Sequence, residues 1–191
     1  HHHFLPALGG GAHREDFSSQ AGVFLIHWRY ILYVVGVLVL WFGLTMVLPL
    51  IAGVYYQDGC MPALLKAMGI TIVTGLCLYL LFRKEQVKHI SQREGMAIVA
   101  AGWTAVGLFG ALPFYFDSGN WTFVDALFES VSGFTTTGAS ILSDIEALPK
   151  GLLFWRSFIQ WLGGMGIIVL SIAVLPMLGV GGVELARHRR A

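Results

Sequence analysis

Thr135, Thr136, Thr137, Gly138, Ala139 and Ser140 form an unbroken run of small residues. No nucleophile–base pair and no metal-ligating cluster accompanies it, so the chemistry it can offer is coordination by oxygen. The backbone carbonyls of Thr136, Thr137 and Gly138, with a threonine hydroxyl as a further ligand, could cage a dehydrated potassium-like cation. Gly138 is needed if the chain must take dihedrals closed to L-residues so that successive carbonyls point the same way. In a soluble protein Thr-Thr-Thr-Gly would simply cap a helix. Here it follows Phe123 to Phe134, a segment too short to cross a membrane, flanked by two apolar runs that can cross.

That short segment carries its own signals. Thr122 can serve as N-cap, Asp125 three residues on completes a capping box, and Gly133 is a plausible C-terminal stop. The helix between has about three turns, on the order of 17 Å, half a bilayer. Entering from one side, it points its negative dipole end to the membrane centre, which favours a cation. Non-helical backbone at that depth is tolerated only where protein buries it or a watery cavity solvates it. Asp125 and Glu129 are the candidate supports of this helix. An intramembrane acid is a functional candidate by default. Glu129 has two readings, bracing the loop through backbone donors or facing outside water.

The elements that must hold this loop are membrane spans. Of the 191 residues, 56% are hydrophobic and 12% charged, about half the charge of a soluble domain. Runs free of charge but for Lys66, at Tyr30–Tyr56, Ala63–Phe82, Gly95–Phe116 and Ser157–Val183, each suffice for a crossing of about 20 residues. Lys66 lies near one end of its run and can snorkel. The expected fold is an all-α membrane protein with four transmembrane helices plus one re-entrant pore helix and its loop. The expected segments are a tag or mobile stretch over 1–27, two leading helices over 28–90, a helix–pore loop–helix unit over 91–185 and a basic tail over 186–191.

Loop charges set the orientation. Arg14 and Arg29, then Arg83, Lys84, Lys88 and Arg93, then Arg187, Arg189 and Arg190 fall on one side, assigned to the cytoplasm together with the N-terminus. The other side holds Asp58, Asp117, Asp125, Glu129, Asp144 and Glu146, with Lys150 and Arg156. The short helix therefore enters from outside, where excess acid raises the local cation concentration; for most of these residues the plainer reading is a solvated loop charge. The net charge of +1 argues neither for nor against a nucleic-acid partner; the lack of a basic stripe with interleaved aromatics sets that class aside. A membrane-embedded enzyme would need titratable groups facing each other within the spans, whose interiors hold none, so the chain reads as no enzyme and needs no organic cofactor.

Other residues read more plainly. Cys60 in a loop and Cys77 inside a span differ in depth by roughly 20 Å or more, too far for a disulfide. Gly163, Gly164 and Gly166 permit close packing on the pore helix, with a hinge as the lesser reading. Pro176 should kink the last span. Arg156 reads as an anchor at the outer boundary before it reads as a partner for the filter side. Trp28, Trp41, Trp103, Trp121, Trp155 and Trp161 mostly fall near span ends, as interfacial aromatics do. His27 and His89 read as surface residues. His1–His3 resemble the end of an affinity tag or an arbitrary fragment end.

Several strings carry a family resemblance. Asp125-Ala-Leu-Phe-Glu-Ser-Val-Ser-Gly-Phe-Thr-Thr-Thr-Gly-Ala-Ser140 resembles the first pore loop of the Trk/Ktr/HKT potassium transporter superfamily. Arg156-Ser-Phe-Ile-Gln-Trp-Leu-Gly-Gly-Met-Gly-Ile-Ile-Val-Leu170, with Leu175-Pro-Met-Leu-Gly-Val-Gly-Gly182, resembles the helix that follows in bacterial Trk proteins. Arg93-Glu-Gly-Met-Ala97 and Gly110-Ala-Leu-Pro-Phe114 resemble the helix before. The likeness runs from about Trp28 to Leu185, and the two leading helices mark the Trk branch.

The resemblance implies potassium as the transported ion, a bacterial inner-membrane location and a filter glycine at Gly138. It places ion-facing carbonyls at Thr135, Thr136, Thr137, Gly138 and Ala139. It also implies four pore units around one axis, a homodimer of the full-length protein and a cytosolic nucleotide-binding regulatory ring. Two transport modes fit, a gated channel and a symporter coupled to protons or sodium. The chain departs from the pattern in holding one pore unit, and at Ala186–Ala191. It is expected to be an N-terminal fragment, a short form that assembles fourfold, or a non-conducting anchor subunit.

Overall fold

The computed structural model describes residues 27–83 and 92–188, with side chains over 27–83 and 93–172. His1–His3, Arg14, Lys84, Lys88, His89, Arg189 and Arg190 lie outside the described residues, as do the side chains of Pro176 and Arg187. Every described element is a helix: α1 Trp28–Thr45, α2 Val47–Tyr56, α3 Met61–Phe82, α4 Gln92–Tyr115, α5 Phe123–Phe134 and α6 Lys150–His188.

Four stretches are long and apolar enough to cross a membrane: Trp28–Tyr56, Met61–Phe82, Arg93–Tyr115 and Lys150–Ile172. The first is broken at Met46 into α1 and α2. Pro49 has no N–H to give the carbonyl of Thr45, so the helical ladder is interrupted there. Met46 N–H turns back to the Gly43 carbonyl at 3.2 Å and the Thr45 hydroxyl to that of Phe42 at 2.7 Å.

Two ties define the ends of the bundle. At one end the backbone N–H and Nδ1 of His27 both meet Glu94 Oε1, at 3.1 and 2.6 Å, so α1 and α4 start side by side. His27 is exposed as expected, yet it is bonded. At the other end Asp58 Oδ2 accepts the N–H of Gly151 at 2.9 Å, joining the α2–α3 link to the start of α6. Cys60 is fully buried beside it and donates its thiol to Asp58 Oδ1 at 2.8 Å.

The core gathers Phe42, Met46, Leu64, Phe114, Phe134, Leu152, Trp155 and Ile159. The ring of Phe42 lies 5.5 Å from that of Phe134 and 5.4 Å from that of Trp155. Trp155 corrects its interfacial reading. It has no exposure, and its Nε1 donates to the Gly110 carbonyl at 3.0 Å. A buried indole needs such a partner. This bond and that of the Ser130 hydroxyl to the Gly107 carbonyl, 2.8 Å, seat α6 and α5 on the backbone of α4.

Candidate cation-coordinating site

The half-length helix α5 begins as its sequence dictates. Thr122 Oγ1 accepts the N–H of Asp125, and Asp125 Oδ2 accepts the N–H of Thr122, each at 3.2 Å. Two orphan donors are thereby satisfied reciprocally. Twelve residues at 1.5 Å rise make the helix about 18 Å long. Its face toward the bundle buries Ala126, Glu129, Ser130, Ser132, Gly133 and Phe134. Phe123, Val124, Phe128 and Val131 face out.

The helix does not stop at Gly133, which corrects that expectation. Gly133 lies inside it, where an added Cβ would meet Ile159 at 2.8 Å. The stop is the threonine run itself. Thr136 N–H bonds the Gly133 carbonyl at 2.9 Å and Thr137 N–H bonds that of Ser132 at 3.1 Å. With Thr135 as C-cap, this is a Schellman closure that places Thr136 at the position glycine usually takes. Thr136 accordingly has φ +56°. A left-handed turn costs a non-glycine residue about 1–2 kcal/mol.

Gly138, at φ +73°, is a second residue in the left-handed region. Among the described residues no hydrogen bond ends on the carbonyls of Thr135, Thr136, Thr137 or Gly138. These residues are exposed on the chain. Thr135 Oγ1 instead lies 2.8 Å from both the Val131 carbonyl and Thr137 Oγ1. The carbonyl of Ala139, expected to face the ion with the other four, is instead held by the Ser132 hydroxyl at 2.6 Å, which corrects that expectation. The backbone oxygens of 135–138 thus stand at the negative end of α5 with no protein donor. An open groove of about 460 Å³ runs beside them, lined by Val124, Leu127, Phe128, Val131, Thr135 and Thr137 among others.

Behind the loop lies a charge pair. Glu129 is 1% exposed. Its Oε2 accepts from Arg156 Nε at 3.0 Å, and its Oε1 accepts the N–H of Ile141 at 2.8 Å and the hydroxyl of Ser140. Of its two readings, the structure places Glu129 behind the loop and away from water. Arg156 is corrected from a boundary anchor to a partner of this acid. The helix of the fourth span begins at Lys150, seven residues before the expected Ser157, so Arg156 lies inside it and is paired there. Truncating one member of such a buried pair costs about 3–5 kcal/mol. Asp125, by contrast, is confined to the exposed cap.

Two residues escaped the sequence reading. Ser132 ties the loop to α5 from an ordinary apolar-polar pattern. Gln160, one turn below Arg156, has its Nε2 4.0 Å from where a Cβ on Gly138 would sit. Only the i, i+4 spacing from Arg156 could have drawn attention to it.

Comparison with known proteins is consistent along the chain. Residues 61–191 match the TrkH family, described as a cation transport protein. The Trk system potassium uptake protein TrkH of Escherichia coli strain K12 is 46% identical over 163 residues, covering 85% of this chain and 34% of the relative. TrkG of the same strain is 37% identical over 164 residues, covering 83% of this chain and 33% of the relative. The crystal structure of the potassium transporter TrkH from Vibrio parahaemolyticus aligns with a TM-score of 0.75 at 40% identity, covering 82% of this chain and 33% of that one. The chain spans about a third of the length of these relatives.

Proposed function

This chain belongs to the TrkH family of cation transport proteins, and from that premise we propose that it supplies one pore unit of a potassium uptake system. Potassium is the cargo. The carbonyls of Thr135, Thr136, Thr137 and Gly138 replace part of its hydration shell, and equivalent loops from three further units complete the ring, as four loops do in potassium channels. The observation that carries this reading is the row of carbonyls that have no donor among the described residues, at the end of a capped half-length helix. Unsatisfied backbone at membrane depth costs several kcal/mol per group unless a cavity or an ion satisfies it. The helix dipole favours a cation at that point.

The same reading places the chain in a bacterial inner membrane, with the N-terminus and Arg83 on the cytoplasmic side. Its partners are the lipid bilayer, the remaining pore units, a second copy of the full-length protein and a cytosolic nucleotide-binding ring. These come from the family resemblance. The similar proteins, a potassium uptake protein and a potassium transporter, support the cargo.

The test is a chimera. The matched third of the Escherichia coli relative is replaced by this chain's residues and expressed in a host that lacks potassium uptake. Growth at low potassium is the expected result. A chimera that reaches the membrane in normal amount yet supports no uptake would contradict the proposal.

A further inference from the structure

The filter reading leaves the buried Glu129–Arg156 pair without a task. A carboxylate with no exposure in its side chain and a guanidinium at 15% are costly to bury, so their geometry shows what they are held for. Neither group supplies an ion-facing carbonyl. Both ends of the carboxylate are used. Oε2 accepts from Arg156 on α6 at 3.0 Å. Oε1 accepts from the Ser140 hydroxyl and, at 2.8 Å, from the Ile141 N–H. Ser140 Oγ in turn accepts the N–H of Leu142 at 3.1 Å. One residue earlier, Ser132 holds the Ala139 carbonyl at 2.6 Å. The chain leaving Gly138 is therefore pinned at three consecutive residues. Two of the pins converge on one carboxylate whose position is set by a cation on the neighbouring helix.

We propose, resting on the filter reading above, that Glu129 and Arg156 are positioning residues for ion selection. Arg156 orients the carboxylate of Glu129, and Glu129 holds Ser140 and Ile141. The returning segment then keeps the Gly138 carbonyl at one radius from the pore axis. A cage that discriminates potassium from sodium depends on the number and placement of its oxygens. A loop released at 140–141 should still bind cations but choose between them less well. A pair that only fastened α5 to α6 would not need Oε1 to be spent on the loop.

The experiment uses the full-length chimera, with four variants: Ser140→Ala, Arg156→Gln, Glu129→Gln with Arg156→Gln, and Gly138→Ser as a marker of the filter itself. Potassium KM, Vmax per membrane-inserted protein and the potassium-over-sodium preference are measured for each. Ser140→Ala keeps the ion pair and so should reach the membrane normally. It is expected to raise KM or lower the preference several-fold. Arg156→Gln should do so by about tenfold, the scale of a lost charged hydrogen bond. Adding Glu129→Gln should recover part of that loss, because the amide oxygen can still accept from the loop and no charge is left unpaired. The inference is overturned if Ser140→Ala keeps native KM and preference while Gly138→Ser alters them, whether or not Arg156→Gln reaches the membrane. If Gly138→Ser also changes neither, the filter reading itself fails and the positioning role falls with it.

Discussion

The carbonyl of Phe134 rests directly on Gly163. A Cβ built on that glycine would lie 2.0 Å from the Phe134 oxygen and 2.7 Å from its carbonyl carbon. Hydrogen on the Cα is all that fits between the end of α5 and α6. Phe134 immediately precedes the loop, so this contact sets the height of the whole threonine run. The three glycines at 163, 164 and 166 do not share this duty. An added Cβ at Gly164 would meet only Thr136 at 3.7 Å, and one at Gly166 only Trp103 at 3.5 Å.

Gly163→Ala should therefore be far more damaging than Gly164→Ala or Gly166→Ala. The added methyl cannot be absorbed by a side-chain rotation, because its neighbour is backbone. The destabilisation expected from such overpacking is about 1–3 kcal/mol or more. Thermal unfolding in detergent, followed by tryptophan fluorescence, reads it. Equal melting temperatures for the three variants would contradict the contact.

Thr136 holds a left-handed conformation at the Schellman position of α5. Thr136→Gly should keep the turn and raise stability by about 1 kcal/mol or leave it unchanged. The Thr136 carbonyl survives the change, so potassium uptake by the full-length chimera should persist. A melting temperature several degrees lower would show that the threonine side chain, rather than the turn, holds the loop.

Burial, and then the hydrogen bond to Asp58, push the Cys60 thiol up from 9.0 to about 12. The folded state thus favours the protonated thiol. The associated stability is fully present below about pH 9 and is lost between about pH 9 and 12, as the unfolded thiol ionises first. Alkylation of Cys60 by iodoacetamide at pH 9 should be much slower in the native protein than in the chain unfolded in SDS. Equal rates would contradict the buried, proton-retaining thiol. Cys60→Ala should flatten the decline in stability above pH 9.

Much of this architecture was legible because membrane spans declare themselves by composition. Thr122 and Asp125 were legible as a cap because a capping box is local, three residues long. Gly133 was misread because a glycine near a helix end looks like a stop, while the Cβ contact with Ile159 that explains it comes from another helix. Arg156 was misread for a similar reason. A lone charge at the edge of an apolar run marks a membrane boundary unless a buried acid waits for it, and Glu129 stands 27 residues away. The break at Met46 was overlooked because the run around it is uniformly apolar, although Pro49 carries its cause. Trp155 looked interfacial by position and is buried because Gly110 offers its carbonyl across the bundle.

Single cysteines at Asp144 and Arg83 test the orientation proposed from the loop charges. An impermeant thiol reagent applied to intact cells should label the first and not the second. Labelling of the Arg83 position from outside would reverse the topology.

The most direct test of the central claim is the selectivity of Gly138→Ser in the full-length chimera. An added Cβ at Gly138 meets nothing closer than Gln160 Nε2 at 4.0 Å, so the fold has room for it. Its φ of +73° is the obstacle, a strain of about 1–2 kcal/mol for an L-residue. Relief of that strain turns the carbonyls of Thr137 and Gly138 while leaving the helices in place. Competitive uptake of potassium and sodium should show the preference for potassium falling by about tenfold, the change that 1.4 kcal/mol produces, with membrane levels unchanged. A variant with native potassium preference and native uptake would contradict the assignment of this loop as the ion-selecting site.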